Sequence, residues 1–391
     1  MTPKEELHRR ISKLQEAMKS EGIGGALIIQ RADLFYFSGT GQNCHLFIPA
    51  EDKPTLVVKK SMGRAELESN LENIVSFAGW DKLKELIAAK LPEGSKIGLE
   101  TDVLPANLYF RYQKMLAGFE IVDISKITRN IRAVKSNFEL GIMLEAAKIS
   151  ESVFNKARKI IREDMTEVDL AGRLEQHARS LGHQGAVRMR GFNQELYFGH
   201  IMSGENAAAI SFFDGPTGGS GLNPSYPQGA GAGIIERNQP ILVDFVSVLG
   251  GYMVDQTRIF CLGEPPLHLA EAYNTAVSIK NTLGKMGKAG ITAGSLYKKA
   301  EQMADQAGLA NHFMGYVEKV SFIGHGVGLE LDELPVIANG IETPLEEGMV
   351  FALEPKFIFP GEGTVGIEDT FVVETKRLKQ LTGFDENIQV L

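Results

Sequence analysis

The sequence has few of the features that mark secreted or membrane-bound proteins. It contains only two cysteines, Cys44 and Cys261, which lie far apart in a chain of 391 residues. Two distant thiols do not form a disulfide framework, so we expect a reducing compartment. No apolar run approaches the roughly 18–20 residues that a membrane-spanning helix needs. The first residues, MTPKEELHRR, lack the apolar stretch of a secretory signal, so a cytoplasmic location is expected.

Positive charge is also scarce. The chain has 41 Lys and Arg residues against 49 Asp and Glu residues, for a net charge of −8. A mildly acidic surface repels nucleic-acid phosphates and anionic lipids, so neither is an expected partner. With 43% hydrophobic and 23% charged residues, the composition is that of a globular protein. Its length favours two domains.

The first 132 residues predict an α/β domain. Thr2, Pro3 and Glu5 are typical of a capped helix start, and the helix should end at Gly22. Residues 24–30 and the segments LFYFSG, CHLFIP and TLVVK predict strands. Further helices are predicted near residues 61–69, 80–90 and 105–116, alternating with short strands near 97–100 and 119–123.

Residues 133–391 predict a second domain. Ser136 and Glu139 form a capping box at the start of a helix that should run to about residue 162, and Thr166 with Asp169 repeats the pattern before a helix ending near Gly182. Two later helices are predicted near residues 266–288 and 292–308. Between these pairs lies a Gly- and Pro-rich stretch, residues 214–233, which is either disordered or a binding or lid loop.

Two acids lie on opposite arms of a predicted β-hairpin, ILVDFVSVLGGYMVDQTRIF, residues 241–260. Asp244 and Asp255 face each other directly if the loop is Leu249-Gly250, and diagonally on one face if it is Gly250-Gly251. Their Cβ atoms are then roughly 5–8 Å apart in either register. Because like charges on an apolar hairpin cost stability, a positive partner is expected.

A second predicted hairpin near the C-terminus repeats this arrangement. The segments GMVFALEPKF and GTVGIEDTFVVE flank a turn at residues 360–362. A three-residue loop there places Glu354 and Glu368 opposite each other. The alternative, in which each of the four acids faces solvent on an edge strand, fits poorly with the apolar residues around them.

Four carboxylates and one imidazole together predict a metal site. His325 lies between two glycines in GHGVGLELDELP, where the bare backbone lets the ring approach ions and leaves room for a substrate. Oxygen-rich ligation with one nitrogen suits Mn²⁺, Fe²⁺, Co²⁺ or Zn²⁺. Four acids suffice for two divalent ions that share an activated water. The alternative is that His325 is an ordinary core histidine.

These residues resemble the motifs of the "pita-bread" metallopeptidases, the family of creatinase, methionine aminopeptidase and proline-specific peptidases. The matching segments are VDFxxxxxGYxxDxTR, GHGVGLE, EGMVFALEP and GIEDTFVV, and the resemblance covers nearly the whole chain. It implies an α+β fold, with a creatinase-type N-terminal α/β domain at residues 1–132 and a pita-bread catalytic domain at 133–391. It implies a homodimer and a dinuclear site that activates a bridging water. The implied metal ligands are Asp244, Asp255, His325, Glu354 and Glu368, and Glu354 would also handle protons.

The surroundings of this site depart from the family pattern. Ile210 and Ser211 replace a Pro-His pair, Ser321 and Asp332 replace two histidines, and Gly366 replaces an arginine found in some members. The family's histidines donate hydrogen bonds to the substrate carbonyl, whereas an ionised Asp332 would repel a developing oxyanion or attract a cation. His200 is a candidate replacement imidazole. The alternatives are that His200 is an ordinary histidine and that Asp332 is a solvated acid in a polar turn.

Three functions follow, and the first is the main prediction. It is hydrolysis of small peptides, of the Xaa-Pro dipeptidase or aminopeptidase kind, with Glu354, Asp332 and His200 as catalytic candidates. The second is a non-peptidase metal enzyme on the same fold that acts on a small cationic substrate, which the acidic patch of Glu330, Asp332 and Glu333 favours. The third is a binding homologue with weakened catalysis, which the retention of all five ligands disfavours.

Overall fold

A computed structural model describes all 391 residues, which divide into two compact units, Met1–Arg132 and Ala133–Leu391. The first unit is built on a six-stranded mixed sheet with the strand order β4-β3-β2-β1-β5-β6. Its strands are β1 Gly25–Ile28, β2 Cys44–Pro49, β3 Thr55–Val58, β4 Ile74–Ser76, β5 Lys96–Leu99 and β6 Glu120–Asp123. Its helices are α1 Lys4–Ser20, α2 Arg31–Ser38, α3 Met62–Glu68, α4 Trp80–Ala88, α5 Ala106–Met115 and α6 Ser125–Ala133.

Two sequence predictions in this unit are wrong. The LFYFSG segment lies in α2 and not in a strand. The Gln30 side chain caps this helix by accepting a hydrogen bond from the Asp33 N–H, and the helix is buried almost all round, which hides its helical periodicity. Thr2 does not cap α1, because Pro3 occupies the N-cap position without a side-chain bond. Thr2 is buried instead, and its carbonyl accepts a hydrogen bond from Asn70.

The second unit combines three small sheets with five helices. Its helices are α7 Asn137–Ile160, α8 Glu167–Ser180, α9 Gly204–Ala207, α10 Leu267–Met286 and α11 Ala293–Gln306. Strands β7 Gly199–Ser203, β8 Pro240–Leu249, β9 Tyr252–Cys261 and β16 Gln389–Val390 form one sheet in the order β16-β9-β8-β7. Strands β10 Gly324–Gly326, β11 Val350–Leu353, β14 Asp369–Val373 and β15 Leu378–Gln380 form a second, and β12 Lys356–Phe359 pairs with β13 Gly363–Gly366.

Helices cover these sheets and leave the carboxylate-bearing strands at the centre. One apolar cluster packs α10 and α11 against the C-terminal strands, and another packs α7 and α8 against β7, β8 and β9. The predicted capping box at the start of α7 is present, with the Ser136 hydroxyl accepting from the Glu139 N–H and the Glu139 carboxylate accepting from the Ser136 N–H. Long strands held on both sides by helices give the site a rigid floor.

The Gly-rich stretch at residues 214–233 contains no helix or strand. The buried Glu167 carboxylate joins this stretch to β7, because it accepts hydrogen bonds from the N–H groups of Gly231 in the stretch and of Ser203 in β7. Residues 214–217 line the cavity described below, as expected for a binding loop. No helix in the structure combines the length and apolar composition needed to cross a bilayer.

Candidate metal centre

The first pair of acids comes from the β8–β9 hairpin. Leu249 pairs with Tyr252, so the turn is Gly250-Gly251, and both glycines have the positive φ that a tight hairpin of this kind requires. Asp244 therefore pairs with Thr257, and Asp255 pairs with Val246, two positions away. This is the diagonal register, the second of the two alternatives. Asp255 is 4% exposed, which excludes an edge-strand acid facing solvent.

The second pair comes from the chain reversal at residues 360–362. Leu353 pairs with Asp369, and Lys356 pairs with Gly366, so the register is the same on both sides of Glu354 and Glu368. The two glutamates lie symmetrically between these pairs, as the three-residue loop predicted. Both are buried. The Thr257 hydroxyl donates a hydrogen bond to Glu368 Oε2 at 2.7 Å, which links this pair to the β8–β9 hairpin.

His325 reaches the same place from β10. Its Nδ1 lies 3.0 Å from the Leu331 carbonyl oxygen, so in the neutral ring this nitrogen donates and Nε2 carries the lone pair. The flanking glycines are required by the backbone and not by a substrate. A Cβ at Gly324 would lie 2.3 Å from the Ala352 carbonyl oxygen, and one at Gly326 would lie 2.3 Å from that of Leu334.

The lone pair of His325 Nε2 faces three carboxylates. It lies 3.9 Å from Asp255 Oδ2, 3.8 Å from Glu354 Oε1 and 3.8 Å from Glu368 Oε1. These separations are too long for hydrogen bonds. With metal–ligand bonds of 2.0–2.2 Å, however, two ligands of one ion can lie up to about 4.4 Å apart. Ligand atoms of Asp255, His325 and Glu368 all lie within 4.8 Å of one another.

Glu368 supports the same assignment. Its Oε1 atom is buried and has no hydrogen-bond partner. An orphaned carboxylate oxygen in a protein interior costs stability unless a cation or water satisfies it. Its position opposite the free lone pair of His325 fits a divalent metal ion, which both atoms can ligate.

The sequence analysis missed Lys356. Its Nζ lies 3.0 Å from Asp244 Oδ2, 2.8 Å from Glu354 Oε2 and 3.1 Å from Glu368 Oε2. Its side chain is only 3% exposed. The signal was available, because Lys356 follows Glu354 by two residues and side chains two apart in extended chain point the same way. It supplies part of the positive charge that the paired acids required.

The electrostatics reflect this crowding of buried charges. Burial raises the pKa of Asp255 well above its usual range, and Glu368 and Asp244 add to the effect. Burial raises the pKa of Glu368 to about 7, although Lys356 opposes the shift. Burial lowers the pKa of His325, but the carboxylates of Asp332, Glu354 and Glu368 outweigh it, so that the net shift is upward. Carboxylates that resist ionisation in this way gain from a nearby cation.

Burial also disfavours the charged form of Lys356, but the neighbouring carboxylates favour that form more strongly. The carboxylates of Asp244, Glu354 and Glu368 raise the pKa of Lys356 well above its usual range despite its burial. The three carboxylate contacts therefore favour the charged form of Lys356.

His200 and Asp332 both border the site. His200 pairs with Asp244 across β7 and β8, and its buried Nε2 has no hydrogen-bond partner. Burial lowers the pKa of His200, which keeps the ring neutral. The Asp332 carboxylate lies 3.6 Å from His325 Nδ1, and its side chain is 41% exposed. It is thus a half-exposed acid at the rim of the site.

The other replaced positions do not reach the site. The Ser211 hydroxyl donates to the Pro227 carbonyl, and Ser321 is exposed. Neither lines the central cavity, which has a volume of about 40 Å³, enough for an ion and a water or two. All seven site residues predicted from the sequence line it, together with Lys356: His200, Asp244, Asp255, His325, Asp332, Glu354 and Glu368.

Comparisons with known proteins point in the same direction. A model of the Creatinase/Prolidase N-terminal domain matches residues 10–134, and a model of Metallopeptidase family M24 matches residues 141–375. An Xaa-Pro dipeptidase from Pyrococcus furiosus is 25% identical over 379 residues, covering 96% of this chain and 98% of the relative.

Solved structures are similar over the same length. An Xaa-Pro dipeptidase from Bacillus anthracis has a TM-score of 0.84 at 25% identity, and the match covers 98% of this chain and 100% of that one. An X-Pro aminopeptidase from Thermotoga maritima has a TM-score of 0.81 at 25% identity, covering 97% of this chain and 99% of that one. The similarity therefore extends over both compact units.

Proposed function

The chain belongs to metallopeptidase family M24, whose model covers more than half of it, and from this premise we propose that it hydrolyses small Xaa-Pro peptides with a metal-activated water. The names of its relatives support the substrate, since they are Xaa-Pro dipeptidases and an X-Pro aminopeptidase that align over nearly their whole length. The chemistry is supported by the side chains of this chain itself.

One observation carries the proposal. Strands β9 and β10 and the segments that carry Glu354 and Glu368 bring His325 Nε2 within 3.9 Å of three carboxylates without a hydrogen bond between them. A buried lone pair and a buried orphaned oxygen, Glu368 Oε1, face each other there. A divalent ion satisfies both, and nothing in an ordinary core would keep these groups together.

The residues around the ion divide the work of hydrolysis. When bound, the ion would supply Lewis acidity and lower the pKa of a water. Glu354, whose carboxylate borders the cavity, would accept a proton from the attacking water and return one to the leaving amine. His200 is neutral, and its unpartnered Nε2 is placed to donate a hydrogen bond to the substrate carbonyl. Asp332, at the rim, binds the positively charged amino terminus of the peptide.

The ligand set also limits the cofactor. Carboxylate oxygens with one imidazole nitrogen suit Mn²⁺, Co²⁺, Zn²⁺ or Fe²⁺. The five predicted ligands, Asp244, Asp255, His325, Glu354 and Glu368, would serve two ions. That count depends on the space left by Lys356, whose ammonium touches three of the five.

Metal-reconstituted protein tests the activity. Metal-free protein would be loaded with Mn²⁺ or Co²⁺ and assayed on paired dipeptides such as Met-Pro and Met-Ala. We expect turnover that needs the ion, with preference for the peptide with proline in second position. The His200→Ala variant should lose about 10²–10³-fold in kcat, as expected for removal of one donor to the reacting carbonyl.

Asp255→Asn is the matched control. It removes a ligand charge while keeping the shape of the side chain, and it should abolish both ion binding and turnover. The proposal fails if the wild-type protein cleaves neither dipeptide with any of the four metals. Equal turnover by the Asp255→Asn variant would also exclude it.

A second candidate function has support of its own. Of the positions where histidines were expected, only Asp332 lines the cavity, and it brings a negative charge there instead of a donor. Hydrolysis of a small amidine or amine by the metal-loaded protein, combined with inactivity on all dipeptides, would favour this alternative.

A homodimer is proposed on the family resemblance alone. Light scattering on the eluting peak of a sizing column would measure the mass in solution. The proposal fails if that mass equals the 42.8 kDa of one chain.

A further inference from the structure

The ligand set of the metal centre is divided between two cations of different kinds. Glu354 and Glu368 each direct one oxygen towards His325 and the other towards Lys356. Asp255 faces only the His325 side, and Asp244 contacts Lys356 at 3.0 Å. The two carboxylate oxygens of each glutamate thus serve two separate positive groups, one of which belongs to the chain.

The ammonium of Lys356 fills one of these positions completely. An ammonium has three N–H donors, and each of them has a carboxylate partner between 2.8 and 3.1 Å away. These three oxygens are the atoms that a second metal ion would need. An ammonium has no lone pair and cannot act as a ligand, so it can only exclude an ion from this position.

Strand pairing and close packing fix the position of Lys356. Its backbone pairs with Gly366 across β12 and β13. A Cβ at Gly366 would lie 2.6 Å from Lys356 Cγ, 2.7 Å from the Pro355 carbonyl oxygen and 2.8 Å from Lys356 Cα, so a larger residue would displace both the lysine stem and the backbone that carries it. With its side chain 3% exposed, Lys356 is held away from bulk solvent.

We propose that Lys356 takes the place of the second metal ion, so that this protein binds one divalent ion, held by Asp255, His325, Glu354 and Glu368. The proposal rests on the proposed function, since it assumes that the site binds metal at all. It corrects the expected count of ions but not the class of reaction, because one ion suffices to polarise a carbonyl and activate a water. Asp244 then acts as the counter-ion of Lys356 and not as a ligand.

Metal counting tests this directly. Metal-free protein would be incubated with excess Mn²⁺, passed over a desalting column and analysed for metal per chain. We expect about one ion in the wild type and about two in Lys356→Ala, since this variant frees three carboxylate oxygens and a lysine-sized space. Electron paramagnetic resonance gives a second readout, with the spectrum of an isolated Mn²⁺ in the wild type and that of a coupled pair in the variant.

Two controls separate the possible failures. Lys135→Ala removes another buried, ion-paired lysine, whose partner Glu333 lies outside the ligand set, and it should still bind one ion. Asp255→Asn keeps Lys356 but loses a ligand, and it should bind none. If Lys356→Ala does not fold, Lys356→Met keeps the apolar stem without the charge, and a second ion is again expected.

The outcomes are distinct for the two proposals. Two ions in the wild type would overturn the role of Lys356 and leave the proposed function standing. One metal ion per chain in both Lys356 variants would also overturn the role proposed for Lys356. So would a wild-type protein that binds no ion while Lys356→Ala binds metal. Failure of the wild type and both variants to bind any ion would overturn the proposed function itself.

Discussion

Asp369 is a buried residue whose ion pairs and hydrogen bonds fix the strand next to the metal centre. It is fully buried, and its carboxylate lies 2.9 Å from Arg258 Nη2 and 2.9 Å from Lys280 Nζ. Gln256 and Thr382 donate further hydrogen bonds to it. Because Asp369 follows Glu368 directly, this network fixes the strand that carries the glutamate.

Replacing Asp369 should therefore destabilise the second unit strongly. Asp369→Asn leaves the buried Arg258 without its counter-charge and leaves Lys280 with Glu386 alone, and breaking a buried ion pair costs about 3–5 kcal/mol. Urea denaturation would measure the free energy of unfolding. Glu374→Gln is the control, since it removes an exposed pair with Arg377 and should cost less than about 1 kcal/mol. Equal costs for the two variants would show that the network contributes nothing special.

His45 makes the first unit sensitive to acid. It is buried, its Nε2 lies 2.9 Å from the Tyr112 hydroxyl, and its ring stacks on Phe77. Burial lowers the pKa of His45 to about 4, with a smaller effect from the Lys59 charge. The unfolded chain, with a histidine pKa near 6.5, then binds the proton more readily than the folded one, so stability is present above about pH 6.5 and is lost as the pH falls towards 4.

The size of this effect follows from the same shift. Between pH 8 and pH 5 the first unit should lose about 2 kcal/mol from His45 alone. In His45→Gln, which has no ring to protonate, the loss over this range should be smaller by that amount. Denaturant titrations at both pH values would measure it. An unchanged pH dependence in the variant would mean that other groups account for the acid sensitivity.

At the scale of single elements, local signals decided most helix positions. The predicted helices near residues 80–90 and 105–116 are Trp80–Ala88 and Ala106–Met115, and the long helix expected from residue 136 is Asn137–Ile160. Capping residues define such starts because they satisfy the N–H groups that a helix leaves free. The exceptions are instructive, since LFYFSG is apolar all round and Thr2 is held by Asn70.

The capping box of Asn137–Ile160 gives a prediction at this scale. Ser136→Ala removes the bond to the Glu139 N–H and should cost about 1 kcal/mol. Thermal unfolding of the second unit would show it as a lower Tm. Ser180→Ala, at the exposed end of the next helix, removes a bond to the His177 carbonyl and should change stability by less than about 0.5 kcal/mol. The cap has no role if the two variants melt alike.

At the scale of the whole molecule, the two cysteines report on different units. Cys44 lies in the first compact unit and Cys261 in the second, and both are buried. Burial raises the pKa of each thiol to about 11, so at pH 8 the reactive thiolate is roughly a hundredfold scarcer than for a thiol at its usual value.

Thiol labelling should consequently follow the opening of each unit. The native protein should react slowly with a thiol reagent, and urea should release one fast-reacting thiol per unit as that unit unfolds. The single variants Cys44→Ala and Cys261→Ala would assign each transition. Rapid labelling of either thiol without denaturant would contradict the buried positions.

The family, the fold class and the class of hydrolase were predicted correctly from motifs that span the chain. The diagonal register of Asp244 and Asp255 was one of two predicted alternatives, and only the observed Gly250-Gly251 turn chose between them. Pairing across a hairpin is local, because the turn fixes which residues meet. The sequence therefore showed that Asp244 and Asp255 converge, but not which of two adjacent turns forms and so not which residues pair with them.

What the sequence alone determined is the chemistry of the site: four acids placed in two local hairpins, with a histidine between glycines. What only the tertiary structure decided is which carboxylate oxygens face His325 and which contact Lys356. Lys356 reaches carboxylates from two hairpins, and Gly366 leaves room for its stem. The convergence of separate hairpins depends on packing between strands more than a hundred residues apart, and no local pattern in the chain encodes the distances between them.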